Sequence, residues 1–247
     1  MHPFCERFRH RLQTDAEFAI IQSKICTEKY TPLEPTALKP FRTVASASET
    51  EYVVNRSRFI GRCFPVTDEA EALQILERIR KQHWDATHNC FAYRLKSGAA
   101  RFSDDGEPQG TAGLPMMEVL SKRDVYDLLV VSTRYFGGIL LGAGGLVRAY
   151  TRSASDAVEA AGLVSMEPCT TFRAVLPYPY RNAVFGVFER FGVIESTDYG
   201  AEITCTFRCR SAESEAFLKA LRDRTEGRIT AEAIGEGYFG FPLNEQN

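Results

Sequence analysis

No apolar run in this chain approaches the ~20 residues that a membrane-spanning helix needs, no C-x-x-C pair occurs, and neither sign of charge prevails. The first absence excludes a helical membrane anchor. The second bears on Cys5, Cys26, Cys63, Cys90, Cys169, Cys205 and Cys209, whose wide spacing argues against a thiolate zinc site or a redox pair. Reduced thiols in a cytoplasmic protein are the expectation. Cys205 and Cys209 share a predicted strand face with Phe207, and four residues of strand hold their sulfurs too far apart for one metal. The net charge of -2, from 30 basic and 32 acidic residues, gives no global pull toward nucleic acid or membrane, so any such binding requires a local patch. The basic stretch Arg7 to Arg11 is followed by no apolar region of signal-peptide kind, and Asp15 and Glu17 count against a transit peptide. No internal repeat or low-complexity tract is present.

What is present is the balance of a globular protein: 247 residues, 44% hydrophobic and 25% charged, enough for one large domain or two smaller ones. Residues 1–45 carry only a short apolar stretch at Phe18 to Ile21 and a proline-punctuated run, and read as a poorly ordered leader. Tyr52 to Val66 reads as a strand pair. Asp68 opens a helix with Leu73, Leu76 and Ile79 at core spacing. Ala86 to Leu95 returns to strand, Phe102 to Pro108 is a turn, Met116 to Ser121 is helical, and Leu128 to Tyr135 is the best buried strand. A helix then runs from Gly144-Gly145 to about Ala161, with Leu146, Ala149, Ala157 and Val158 inward and Gly162 as its stop. Beyond a boundary near residue 165, marked by Glu167-Pro168, the order is strand, helix (Arg181 to Phe191), hairpin (Val193 to Arg210), helix (Glu213 to Arg224) and strand (Arg228 to Ile234). That βαββαβ order is ferredoxin-like.

Several segments carry more polarity than packing requires. Asp104, Asp105 and Glu107 crowd three carboxylates into one turn, which calls for a compensating cation, Mg²⁺ or arginine, or else for solvent. Arg134 emerges at the C-terminal end of the most apolar strand, followed by Tyr135, Gly137 and Gly138; ligand sites form at such strand ends. A pair between Arg134 and the Asp104/Asp105 turn would unite the two segments. Gly144, Gly145 and Arg148 open a helix, where backbone N–H groups can meet an anion; the spacing fits a dinucleotide fingerprint poorly. His88 and Cys90 invite a nucleophile-and-base reading, but like-facing neighbours on a strand stand about 7 Å apart. His88 at a site mouth is the stronger expectation. Arg56, Arg58 and Arg62 share one predicted strand face and form a stripe able to follow a phosphate backbone.

Arg58-Phe59-Ile60, Ala86-Thr87-His88-Asn89-Cys90, Asp104-Asp105-Gly106-Glu107-Pro108, Gly110-Thr111-Ala112-Gly113, Thr133-Arg134-Tyr135-Phe136-Gly137-Gly138 and the run Leu141 to Tyr150 together resemble the YigZ/IMPACT family, bacterial two-domain branch, over about residues 48–162. The resemblance implies an α+β protein: an N-terminal ribosomal protein S5 domain 2-like α/β domain (46–164) and a C-terminal ferredoxin-like βαββαβ domain (165–247), similar to one in elongation factor G. Both folds recur in translation proteins. Two functions compete. One is a nucleic-acid- or ribosome-associated binding protein, RNA or the translation machinery being its partner, with a role in translation regulation. The other is a hydrolase or transferase for a small anionic substrate, with Arg134 and Arg148 holding the anion and Asp104, Asp105, Glu107 or His88 acting as base or through Mg²⁺. A scaffold whose motif residues only lock the fold is the third possibility.

Overall fold

A computed structural model describes residues 38–242. The expectations for the leader up to residue 37, with Cys5 and Cys26, lie outside these residues. The described chain is α+β, with two five-stranded sheets and five α-helices.

The first sheet contains β2 (Ser48–Val54), β3 (Ser57–Pro65), β4 (His88–Arg94), β5 (Ala100–Ser103) and β6 (Leu128–Tyr135), in the order β2-β3-β6-β4-β5. Every pairing is antiparallel. β6 is central and apolar on both sides because both sides are covered. Leu128 and Val130 point with Phe59, Cys63, Cys90 and Ala92 into a core closed by α2 (Gly113–Lys122) and α3 (Gly142–Ala160). Leu129 and Val131 point with Phe91 and Tyr93 the other way, against α1 (Glu69–Gln82). The α1 start is fixed by Asp68, whose carboxylate accepts from Glu71 N–H at 2.8 Å, while Glu71 Oε2 accepts in return from Thr67 N–H at 2.8 Å. Leu76 and Ile79 are buried as expected. Leu73 is not: the pitch turns it outward, and Ala72 takes its place in the core.

The second sheet is built from β7 (Leu163–Leu176), β8 (Gly192–Tyr199), β9 (Ile203–Arg210) and β10 (Ala231–Pro242), ordered β10-β7-β9-β8. One face is packed by α4 (Arg181–Phe191) and α5 (Ser214–Thr225) around Phe172, Phe188, Phe207 and Phe217. Cys205 and Cys209 are buried there, as expected of core residues.

Three expectations need correction. Phe41–Val44, assigned to the leader, is a strand, β1, paired antiparallel with β7, and Val44 is buried. β7 runs unbroken through the expected boundary. Pro168 falls where that edge of β7 has left β1, last paired at Met166, and not yet met β9, first paired at Cys169, so its missing N–H costs no ladder bond on that side. Finally β5 runs into the first two residues of the expected Phe102–Pro108 turn, and β10 continues to Pro242 through three glycines that hide it from a pattern of alternation.

Candidate functional site

The acidic turn after β5 is held open by left-handed backbone at Asp105 (φ 44°) and Gly106 (φ 88°). Its carboxylates do not converge. Asp104 accepts from Gly110 N–H (2.8 Å), Ala112 N–H (3.0 Å) and Gly113 N–H (2.8 Å). It thereby caps the start of α2, which has no cap of its own from Ala112. Asp105 accepts from Asn89 N–H at 2.7 Å and pairs with Arg80 at 2.9 Å. Glu107 alone turns inward and meets Arg134 at 2.6 Å. The two sequence segments are thus joined, though through Glu107 instead of Asp104 or Asp105.

This ion pair is deeply buried, its side chains 6% and 3% exposed. Such a pair persists only when its other lone pairs and protons are met. Tyr150 Oη donates to Glu107 Oε1 at 2.7 Å, and Arg134 Nη2 donates to Ser57 Oγ at 3.3 Å. The guanidinium lies 5.5 Å from the ring centres of both Phe59 and Phe136. Its Nε–H has no partner. Burial pushes the Tyr150 hydroxyl and the Cys90 thiol well above their usual ranges, and the thiol donates to the Asp104 carbonyl at 2.9 Å. His88 donates from Nδ1 to the Asp105 carbonyl at 2.8 Å, and its Nε2 stands 3.8 Å from Glu107.

Arg134, Glu107 and His88 line a cleft of about 380 Å³ with Thr87, Gly106, Pro108, Phe136, Leu140, Leu141, Gly142, Ala143 and Leu146. Of the residues expected to bind, only Arg134 lies there. Tyr135 points to the opposite side of the sheet. Gly137 N–H donates to Ser57 Oγ, and a Cβ at this position would stand 2.0 Å from the Arg56 backbone, so its role is close packing. Gly138 supplies a left-handed turn (φ 81°). Gly144 and Gly145 sit in the first turn of α3 away from the cleft, and Arg148 belongs to a neighbouring groove of about 330 Å³ with Tyr52, Asn55 and Arg152.

The expected Arg56/Arg58/Arg62 stripe does not form. Arg62 is 4% exposed and is held by Glu49 (2.7 Å), Thr133 Oγ1 (3.0 Å) and His83 Nε2 (2.7 Å). Arg58 pairs with Glu51 at 2.7 Å. Arg56 lies in the β2–β3 turn with φ 62°, exposed. β3 is covered on both sides, so alternation along it selects between two interiors and not between core and solvent. The residues that sequence reading missed are Tyr150, Ser57, Arg80 and Arg152; Tyr150 was visible as a hydroxyl on the buried stripe of α3, at the pitch of Leu146 and Ala157. Among the described residues no group of three His, Cys, Asp or Glu side chains is placed to hold a metal ion. No helix among them is long and apolar enough to cross a membrane.

Two five-stranded sheets, each packed by helices, make this an α+β protein. The Impact N-terminal domain matches residues 55–158, and the domain of unknown function DUF1949 matches residues 187–228. The chain is 38% identical over 194 residues to IMPACT family member YvyE of Bacillus subtilis, covering 77% of this chain and 89% of that protein. It is 34% identical to IMPACT family member YigZ of Escherichia coli, covering 74% and 92%. A solved structure described as a hypothetical protein aligns with TM-score 0.52 at 30% identity, over 80% of this chain and 98% of that one. The chain therefore belongs to the IMPACT family.

Proposed function

We propose that this protein binds RNA of the translation machinery through the groove between the β2–β3 turn and α3. The observation that carries the reading is the pair of exposed guanidiniums, Arg148 and Arg152, on one groove wall beside Asn55 and the Tyr52 ring. Arg148 has no ion-pair partner among the described residues. Arg152 stacks on Tyr52 at 4.7 Å and shares only Asp156, at 3.3 Å. Exposed Arg56 follows Asn55 directly. Exposed cations gathered on one groove wall suit a phosphate backbone. The open face of the second sheet is a weaker candidate, because Arg208 and Arg210, over Phe239 and Phe241, are already neutralised by Glu195 and Glu167.

The translation role rests on the folds. The order β10-β7-β9-β8 with two helices on one face suits a ferredoxin-like domain of the elongation factor G kind, and the first half suits the ribosomal protein S5 domain 2-like class. The test is co-sedimentation with ribosomes and filter binding to RNA between about 50 and 200 mM salt, where each phosphate contact adds to the salt slope. Reversing charge at Arg148 and Arg152 together should weaken binding at least tenfold, and Arg190→Glu on the second half should not. No binding at low salt, or binding indifferent to the double reversal, rejects the reading.

A further inference from the structure

A sheet ends in strands whose outer N–H and C=O groups are unpaired, and proteins blunt such edges with brevity, bulges and charge. Three edges here are blunted. β5 has four residues, β8 carries an irregularity between Ile194 and Ser196, and β2 carries Glu49 and Glu51 in ion pairs. β10 is different. Among the described residues it pairs with β7 alone, and from Gly235 to Pro242 that pairing is regular, with Glu236 as the one charged residue of the run. Gly237 has no reason in its own chain to be glycine: its φ is not left-handed, and an added Cβ would meet no atom within 4 Å. The same space is open at Gly235. Glycine inside a strand costs stability, and where no turn demands it the position suits the close approach of another backbone.

We propose that this edge docks a second copy of the chain, the two β10 strands pairing antiparallel across a two-fold axis at Tyr238. Opposed residues of an antiparallel pair share one hydrogen-bonding phase, so the axis of a strand paired with itself passes through a residue. An axis at Glu236 would set two carboxylates face to face. An axis at Tyr238 lays the regular run Gly235–Phe241 on itself along its whole length. Phe239 then opposes the partner's Gly237, Phe241 the partner's Gly235, and Glu236 the partner's Gly240, so no like charges meet. Phe239 and Phe241 share the face of Gly235 and Gly237, opposite Cys169 and Thr171 and away from the Phe172 core. Each ring thus covers a glycine of the facing strand, a favourable cross-strand pair. Tyr238 leaves the axis clear, because its ring packs on Phe41 of β1 and its hydroxyl donates to the Lys39 carbonyl at 3.0 Å, both beyond β7. One strand pair is less than a standard interface, so the association is weak and concentration-dependent.

The test is sedimentation velocity of the nuclease-treated full chain from about 5 to 500 µM, where a weak dimer forms and the sedimentation coefficient should climb. Gly235→Lys with Gly237→Lys lines the shared face with cations from both copies. It should weaken the dimer at least tenfold while the melting temperature holds or rises, since two strand glycines are removed. The register is read by mixing Gly237→Cys protein with Phe239→Cys protein under mild oxidation. These two positions oppose each other within disulfide reach, whereas each stands too far from its own counterpart across the axis. The mixture should therefore cross-link well above the parent chain, and either variant alone should not. A chain that stays monomeric up to about 500 µM leaves the edge to another occupant and overturns the proposal. So does a dimer that the double lysine variant forms equally well, or cross-linking of either cysteine variant alone as strong as in the mixture. With nucleic acid removed, none of these outcomes depends on the RNA reading.

Discussion

Arg62, His83 and Tyr135 form a chain of hydrogen bonds with one consistent direction. Arg62 can only donate, so His83 Nε2, 2.7 Å away, accepts, and Nδ1–H donates to Tyr135 Oη at 2.9 Å. Tyr135 then donates to Asp85 at 3.3 Å. Burial and the Arg62 charge hold the imidazole below its ordinary 6.5. The folded state therefore binds this proton less readily than the unfolded chain. Stability from this group is fully present above pH 6.5 and is lost as pH falls through and below that value. We expect the melting temperature, followed from pH 7.5 to 5.5, to decline below about pH 6.5. The decline should be shallower in His83→Gln, which keeps one donor and one acceptor without titrating; an equal decline would exclude His83 as its source. At this scale the sequence made residue types legible better than partners. That a pair between Arg134 and the acidic turn would unite the two segments followed from charge and position. That Glu107 supplies the carboxylate, while Asp104 serves three backbone N–H groups, depends on the left-handed turn at Asp105 and Gly106, which selects the carboxylate that points inward.

Elements with strong periodicity were legible almost to their ends. β6 and α4 fall on the expected residues because a doubly covered strand and an amphipathic helix each leave a continuous signal. β1 and β5 were not legible, being four residues each and built of single apolar positions between polar ones. Gly61 shows how a small residue fixes the relation of two elements. It pairs with Ser132 in the sheet, and a Cβ there would stand 2.5 Å from the Ser153 carbonyl oxygen on α3. The Ser132 and Ser153 hydroxyls meet at 2.8 Å beside it. Because the obstacle is helix backbone, Gly61→Ala must push α3 off the sheet, at an expected cost of about 1–3 kcal/mol in urea unfolding. Gly200→Ala, whose added Cβ would meet only the Glu202 carbonyl at 3.7 Å, should fall within about 0.5 kcal/mol of the parent.

At the scale of the molecule, the division into two halves is crossed by β1. This strand precedes the first sheet in the chain yet pairs with β7 of the second, Phe41 opposite Met166 and Val44 opposite Leu163. Its other bonds return to the first half: Tyr126 N–H donates to the Arg42 carbonyl at 2.9 Å, and the Thr43 hydroxyl donates to the Asp127 carbonyl. Val44 itself packs in the core beneath α2 and α3. β1 therefore transmits the stability of one half to the other, which a shared linker alone would not do. Removing residues up to 44 should leave both helical layers intact by circular dichroism but split one calorimetric transition into two, the DUF1949-containing half melting first because it has the fewer buried residues. A truncated chain that still melts in a single step would place the coupling in the continuous β7 and its long pairing with β10.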